Sequence, residues 1–444
     1  EHIRNAYLSP KDTRNFLGRI TVWLKEEEDL DAKTTGLFLS YWADATQVKD
    51  QRIQAIIENF NEHVRASKDA NFVYIVFKHV ISELDKNKKM LSYMEKLLLT
   101  AAEKGEVKAM LEYSSRLKQG LKLEKNAEKG NYWLRNAAEE KSPHAMFILG
   151  NLLLEGEEIE KNQEEGEKWL YQAAEMGDQD AIGILSIRLL EGLNIKQNTQ
   201  EGEEWLRRLV DIDNLQAMRI LGNRLLDGDN LKQNLEEGEK WLRKSAEQGD
   251  LQAVFSLGIR LLDGDNLQQD EIEGKEWLFK AAKTDNPSIM RMLGLRLLNG
   301  ENITQDVKEG EMWLRKAAKA DDVASIVMLG NRLLDGRNLE QDRTEGENWL
   351  RKAVAADDEQ AMRILGNRLL DGDNLEQDTE EGEKWLYKAA ETGEQYAMRV
   401  LGNRLLDGDN LGQDISEGEK WLRKAADTEE GEAMRVLGAR LLNG

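Results

Sequence analysis

Cysteine is absent from the 444 residues, which removes disulfide frameworks, thiolate metal centres and thiol nucleophiles together. Histidine is nearly so: His2, His63, His79 and His144 stand at no spacing that ligates a metal or orders a nucleophile. No catalytic residue, metal or cofactor is therefore expected, and the chain does not read as an enzyme. Proline occurs three times, which favours long helical content. No apolar run approaches the ~20 residues that span a bilayer, and the start lacks a basic-then-apolar leader, so membrane insertion is not expected. Positive charge is in deficit, with 62 Lys and Arg against 84 Asp and Glu and a net charge of -22. That balance argues against nonspecific attraction to nucleic acid or anionic lipid. The compartment stays open, with the cytoplasm favoured over export; Glu1 in place of Met leaves room for a cleaved leader or an upstream domain.

What the chain has in abundance is repetition. Trp133, Trp169, Trp205, Trp241, Trp277, Trp313, Trp349, Trp385 and Trp421 follow one another at intervals of 36 residues without insertion. A column of small residues shares the register: Gly150, Gly222, Gly258, Gly294, Gly330, Gly366, Gly402 and Gly438, with Ser114 and Ser186 as exceptions. Mid-helix glycine costs ~1 kcal/mol relative to alanine, so a position kept to Gly or Ser predicts two backbones in close approach.

Within one unit, Ala217, Met218, Leu221, Gly222 and Leu225 fall at helical spacing and predict a first helix that Gly228 ends. Asn234 followed by Glu237 predicts a capping box opening a second helix, on which Gly238, Trp241, Leu242, Ser245 and Ala246 form the buried stripe, Trp241 supplying most of the apolar area. Asn or Asp holds this cap in every unit (Asn126, Asn162, Asn198, Asn234, Asp270, Asp306, Asp342, Asp378, Asp414), and Glu follows at the third helical position in all but the first. Ser142-Pro143 and Asn286-Pro287, four repeats apart, place N-cap and N1 before a first helix and fix the same phase.

The series Ala397, Leu401-Gly402, Leu405, Gly408, Asp414, Gly418, Trp421 and Lys424-Ala425-Ala426 resembles the Sel1-like repeat, a relative of the tetratricopeptide repeat. It departs from that pattern by Leu405 in place of the usual Tyr, Asn410 in place of the second loop Gly, and Gly418 in place of Ala. The resemblance implies an all-α, right-handed superhelical α-solenoid of 36-residue two-helix repeats; residues 1–72 carry helical periodicity outside the frame and read as a non-repeat helical segment before it. Three regions are expected: an N-terminal helical segment over 1–72, a degenerate capping repeat over 73–108 with Leu97 in the tryptophan slot and Ala101-Ala102 behind it, and the array over 109–444, nine full repeats and a partial tenth. The array stops in mid-repeat, which predicts further chain, a partner subunit or self-association through the open end.

Three polar features bear on function. The loop run Asp371-Gly372-Asp373-Asn374 before Asp378 imitates a calcium site, but Leu193 and Arg337 replace the middle Asp elsewhere, so a turn is the preferred reading. Arginines two residues after the frame glycine (Arg188, Arg224, Arg260, Arg296, Arg332, Arg368, Arg404, Arg440) predict a structural ladder to carboxylates of the neighbouring repeat. Arg219 with Asn223, Arg363 with Asn367 and Arg399 with Asn403 lie at i and i+4 on the open side of the first helix. By resemblance that side lines a concave groove, where such residues hold peptide carboxylates and backbone. A merely hydrated face is the alternative. Phe255-Ile259 and Val327-Asn331 interrupt the stripe and predict apolar patches.

The favoured function is a noncatalytic scaffold binding a protein or peptide partner. The competing expectation is the sensor or oligomerisation arm of a larger bacterial signalling or immune effector, with residues 1–72 as the coupling segment and the catalytic domain elsewhere.

Overall fold

The computed structural model describes residues 70–71, 73–74, 88–121, 123–428 and 430–443, and among these it is all-helical, with twenty helices of twelve to sixteen residues and no strand. In chain order they are α1 (Lys88–Glu103), α2 (Val107–Gln119), α3 (Ala127–Glu139), α4 (Pro143–Glu155), α5 (Gln163–Glu175), α6 (Gln179–Glu191), α7 (Thr199–Asp211), α8 (Leu215–Asp227), α9 (Leu235–Glu247), α10 (Leu251–Asp263), α11 (Glu271–Ala282), α12 (Pro287–Asn299), α13 (Val307–Lys319), α14 (Val323–Asp335), α15 (Arg343–Ala355), α16 (Glu359–Asp371), α17 (Thr379–Thr392), α18 (Gln395–Asp407), α19 (Ile415–Asp427) and α20 (Gly431–Asn443). From α2 onward the even helices are first helices and the odd ones second helices. The contacts divide the chain into two compact units, Glu1–Ala217 and Met218–Gly444. Inside each unit a first helix packs chiefly on the second helix that follows it, and successive pairs stack. The segment expected at 1–72 falls almost wholly outside the described residues. In α1, Leu97, Ala101 and Ala102 are buried.

Caps set the helix ends as the sequence predicts, and one part of that prediction is corrected. Asn or Asp at the start of each second helix accepts from the N–H three residues on, as Asp378 does from Glu381 at 2.9 Å. The reciprocal half of the capping box does not form. The cap's own N–H already donates to the end of the preceding first helix, Asp378 to the Leu369 carbonyl at 3.0 Å, which leaves the Glu side chain available for other partners. First helices end at a left-handed glycine such as Gly372, φ 68°, and the loop asparagine that replaces the second glycine also takes positive φ, 57° at Asn410. A loop glutamine closes the turn: Gln377 Nε2 donates to the Leu370 carbonyl at 2.7 Å, and the same bond recurs at Gln233, Gln269, Gln305, Gln341 and Gln413.

From Gly150 to Gly402 the glycines of the small column do what its composition predicts, while Gly438 meets nothing within 4 Å. A Cβ on Gly366 would stand 2.9 Å from the Gly382 carbonyl oxygen and 2.9 Å from the Leu386 nitrogen, so the two helices of a pair touch backbone to backbone. The expected primacy of tryptophan is corrected. Trp133, Trp205, Trp313 and Trp421 are 6–7% exposed, whereas the other five are only half-buried. The leucine that follows each tryptophan, from Leu134 to Leu422, is 0–2% exposed in all nine repeats and is the fixed core element. All five half-buried indoles donate their N–H to the glutamate one turn earlier, whereas Trp133 and Trp313 bury theirs without a hydrogen-bond partner; leucine has no such demand.

Candidate interaction surface

Within each unit, consecutive second helices are joined through the residue two positions after the tryptophan, by one of two devices. At four arginines the guanidinium reaches the Glu in the first turn of the next second helix: Arg135 to Glu165, Arg243 to Glu273, Arg315 to Glu345 and Arg351 to Glu381, the last at 2.6 and 2.8 Å. That Glu also accepts from the indole N–H one turn on, Trp169, Trp277, Trp349 and Trp385, at 3.0–3.2 Å. The arginine bond holds each of these four glutamates below the usual carboxylate range, Glu381 down to about 2. Where the residue is aromatic, at Tyr171, Phe279 and Tyr387, its ring meets the next tryptophan edge to face with centroids 5.9–6.4 Å apart. Those tryptophans, Trp205, Trp313 and Trp421, are among the four buried ones.

The predicted arginine ladder is present on the loop edge. Arg296 grips Asp263 with two bonds of 2.7 and 2.8 Å and Arg404 grips Asp371 at 2.9 and 2.5 Å, while Arg188, Arg260 and Arg368 reach Glu155, Asp227 and Asp335 through Nη2. Each reaches back one repeat and also bonds the carbonyl of its own loop. Arg224 pairs with Asp229 of its own loop. The side chain of Arg440 lies outside the described residues. Asn266, Asn302, Asn374 and Asn410 donate to the same carboxylates, and the arginine is the main reason Asp263 and Asp371 are held below their usual range. The loop that imitated a calcium site is spent on these contacts, since Asp371 answers Arg404 and Asn410 while Asp373 answers Arg368.

The groove residues are also engaged internally. Arg219, Arg363 and Arg399 place Nε 3.2–3.3 Å from Asp250, Glu394 and Glu430, the capping carboxylates of the next first helix, off the line of a true hydrogen bond. Their side chains remain 20–25% exposed. Asn223 accepts from Ser256 and from Arg260 Nε, and Asn367 from Arg404 Nε, at 2.9–3.2 Å. Asn403 is half-buried at the same register. Sequence reasoning missed Arg291, which pairs with Asp322 at 2.5 Å in the same column. The demand for an asparagine four residues later hid it, because Leu295 stands there.

Where the polar stripe breaks, the second unit opens a cleft of about 430 Å³. Phe255, Ile289, Met292 and Leu295 supply its apolar lining, with Ser288, Arg291, Arg296 and Glu301 among the polar residues of its wall. This is one of the patches predicted from Phe255. The first unit has a cleft of about 520 Å³ against Met146, Trp169 and Met176. No helix among the described residues is long and apolar enough to cross a membrane.

No curated protein matches the chain. Among solved structures, c5321, a protective antigen of uropathogenic Escherichia coli strains that displays an SLR fold, aligns over 85% of this chain and 82% of its own with 24% identity and a TM-score of 0.52. A Sel1 repeat protein from Oxalobacter formigenes aligns over 80% and 95% with 21% identity and a TM-score of 0.50. At such identities both are likenesses of fold. The Sel1 repeat pattern matches residues 107–142, 143–178, 181–211, 215–250, 251–286, 287–322, 323–358, 359–393 and 395–427, and with nine copies over most of its length the chain belongs to the Sel1 repeat family.

Proposed function

We propose that the chain is a noncatalytic adaptor that holds an extended protein segment on its first-helix face, with the Phe255–Leu295 cleft as the anchor point. Sel1 and tetratricopeptide-like repeat proteins generally mediate protein–protein interactions, and the family is of the noncatalytic scaffold kind. The cleft carries the finer reading: it is an apolar hollow with charged flanks on a face otherwise tiled by internal Arg–carboxylate pairs. Arg219, Asn223, Arg363, Asn367, Arg399 and Asn403 form the polar track leading to and from it, their partial exposure leaving room for a peptide backbone. In this reading residues 73–108 cap the array and 1–72 form a separate helical segment, while self-association is a competing outcome of the same test. A photo-crosslinker placed at exposed Ser288, on the cleft, and one at exposed Glu276, on the second helix α11, separate the possibilities. Adducts with another protein from Ser288 and none from Glu276 support the assignment. Equal labelling from both, or adducts with a second copy alone, contradict it.

A further inference from the structure

The loop-edge ladder has one break. Arg260, Arg296, Arg368 and Arg404 each hold at least one carboxylate, but Arg332 holds none among the described residues. Three substitutions coincide to produce this. Asn299 stands where the flanking repeats have Asp263 and Asp335, Arg337 where they have Glu301 and Asp373, and Leu295 where the next two repeats have Asn331 and Asn367. Arg332 therefore donates only to neutral oxygens, to Asn299 Oδ1 at 2.8 Å and to the Arg337 carbonyl at 3.3 Å. Asn338 competes for the same Asn299 oxygen at 3.3 Å.

A half-buried guanidinium without a counter-charge is an unfavourable arrangement that a nearby anion relieves. Burial first, and the like charge of Arg337 second, lower the proton affinity of Arg332, opposite to the gain an ion-paired arginine such as Arg315 shows. Arg337 is exposed on the loop, so the anion can approach from solvent. The break also adjoins the cleft. In the following repeat Asn331 Oδ1 lies 3.2 Å from Arg368 Nε, and Leu295, a cleft residue, occupies the corresponding register beside Arg332.

We infer that Arg332 and Arg337 receive a carboxylate side chain of the bound segment, while an apolar neighbour of that side chain fills the Phe255–Leu295 cleft. The partner is thus an acidic-apolar peptide segment. A carboxylate is the group this geometry is built around, since Arg296 and Arg404 show the same guanidinium position gripping Asp263 and Asp371 through two parallel bonds. The -22 net charge sharpens the choice: most of the surface repels acidic segments, and this gap offers local charge complementarity.

The inference rests on the cleft assignment, and the test separates the two. Fluorescent dodecapeptides pairing Leu or Phe with Glu, and twins with Gln in place of Glu, are titrated against the full chain and against the double variant Asn299→Asp, Arg337→Asp. That variant restores the carboxylates of the neighbouring repeats inside the protein. The expected result is Glu peptides binding at least about tenfold tighter than their Gln twins, and a loss of about tenfold in the variant with a melting temperature no lower than that of the parent. Equal binding of the twins, undiminished binding by the variant, or full displacement by stoichiometric inorganic phosphate overturns the carboxylate assignment. Crosslinking from Ser288 that persists alongside equal twins leaves the cleft standing and removes the arginines; loss of both removes both.

Discussion

At the residue scale, two glycines that look alike in sequence have opposite roles. Gly366 and Gly183 both sit inside first helices, where alanine gains up to ~1 kcal/mol of helix propensity. A methyl on Gly366 collides with backbone atoms of Gly382 and Leu386, which cannot rotate away, whereas one on Gly183 meets only Leu209 Cδ1 at 3.7 Å. Gly366→Ala is expected to cost about 1–3 kcal/mol, and Gly183→Ala to be neutral or stabilising by about 0.5 kcal/mol, both read by chemical denaturation. Leu350→Ala, at a fully buried site, should cost about 2–5 kcal/mol by the same denaturation measurement. The glycine column was legible because only close approach explains a kept mid-helix glycine. The leucine's primacy was not, since Trp and Leu side by side both read as apolar, and only the seam geometry shows which one meets solvent. Arg291 was overlooked for a similar reason: its function depends on Asp322 in the next repeat, not on the residue one turn away.

At the element scale, second helices are tied by charge at Arg135, Arg243, Arg315 and Arg351 and by aromatic rings at Tyr171, Phe279 and Tyr387. The caps and helix bounds were readable from Asn, Asp, Gly and Pro positions. The diversion of the first-turn Glu from its own cap to Arg351 and Trp385 was not, because the competing acceptor, the Leu369 carbonyl, comes from another helix. This diversion has a pH signature. Glu381 is held at about 2 in the folded chain against an ordinary 4.5, so its contribution is fully present above 4.5 and is lost as pH falls toward 2. Between those limits the parent should lose stability on acidification more steeply than Glu381→Gln, which carries no titrating group there. Parallel pH-dependence of the two melting curves would be the contrary result. Tyr387→Ala should instead expose Trp421 and shift tryptophan fluorescence to longer wavelength.

At the scale of the molecule, each unit is a run of helix pairs that contact their sequence neighbours, so stability is a sum of local interfaces and repetition alone says little of where a partner binds. The repeated arginines, asparagines and carboxylates are largely consumed in holding one repeat to the next. In the proposed reading, recognition falls mainly to the places where repetition lapses: Phe255 and Leu295 in the polar stripe, Asn299 and Arg337 in the ladder. The sequence displayed those lapses but not their adjacency, which needs the offset of one repeat that brings Arg332 beside Asn299. A paired measurement on Arg368→Gln and Arg332→Gln tests this division most directly, by melting temperature and by affinity for the Glu peptides. Removing Arg368 from its carboxylates should lower the melting temperature by about 2–4 °C and leave affinity within about twofold, while removing Arg332 should leave melting unchanged or raised and weaken binding about tenfold. The reverse pattern, binding lost with Arg368 and stability lost with Arg332, would contradict the account.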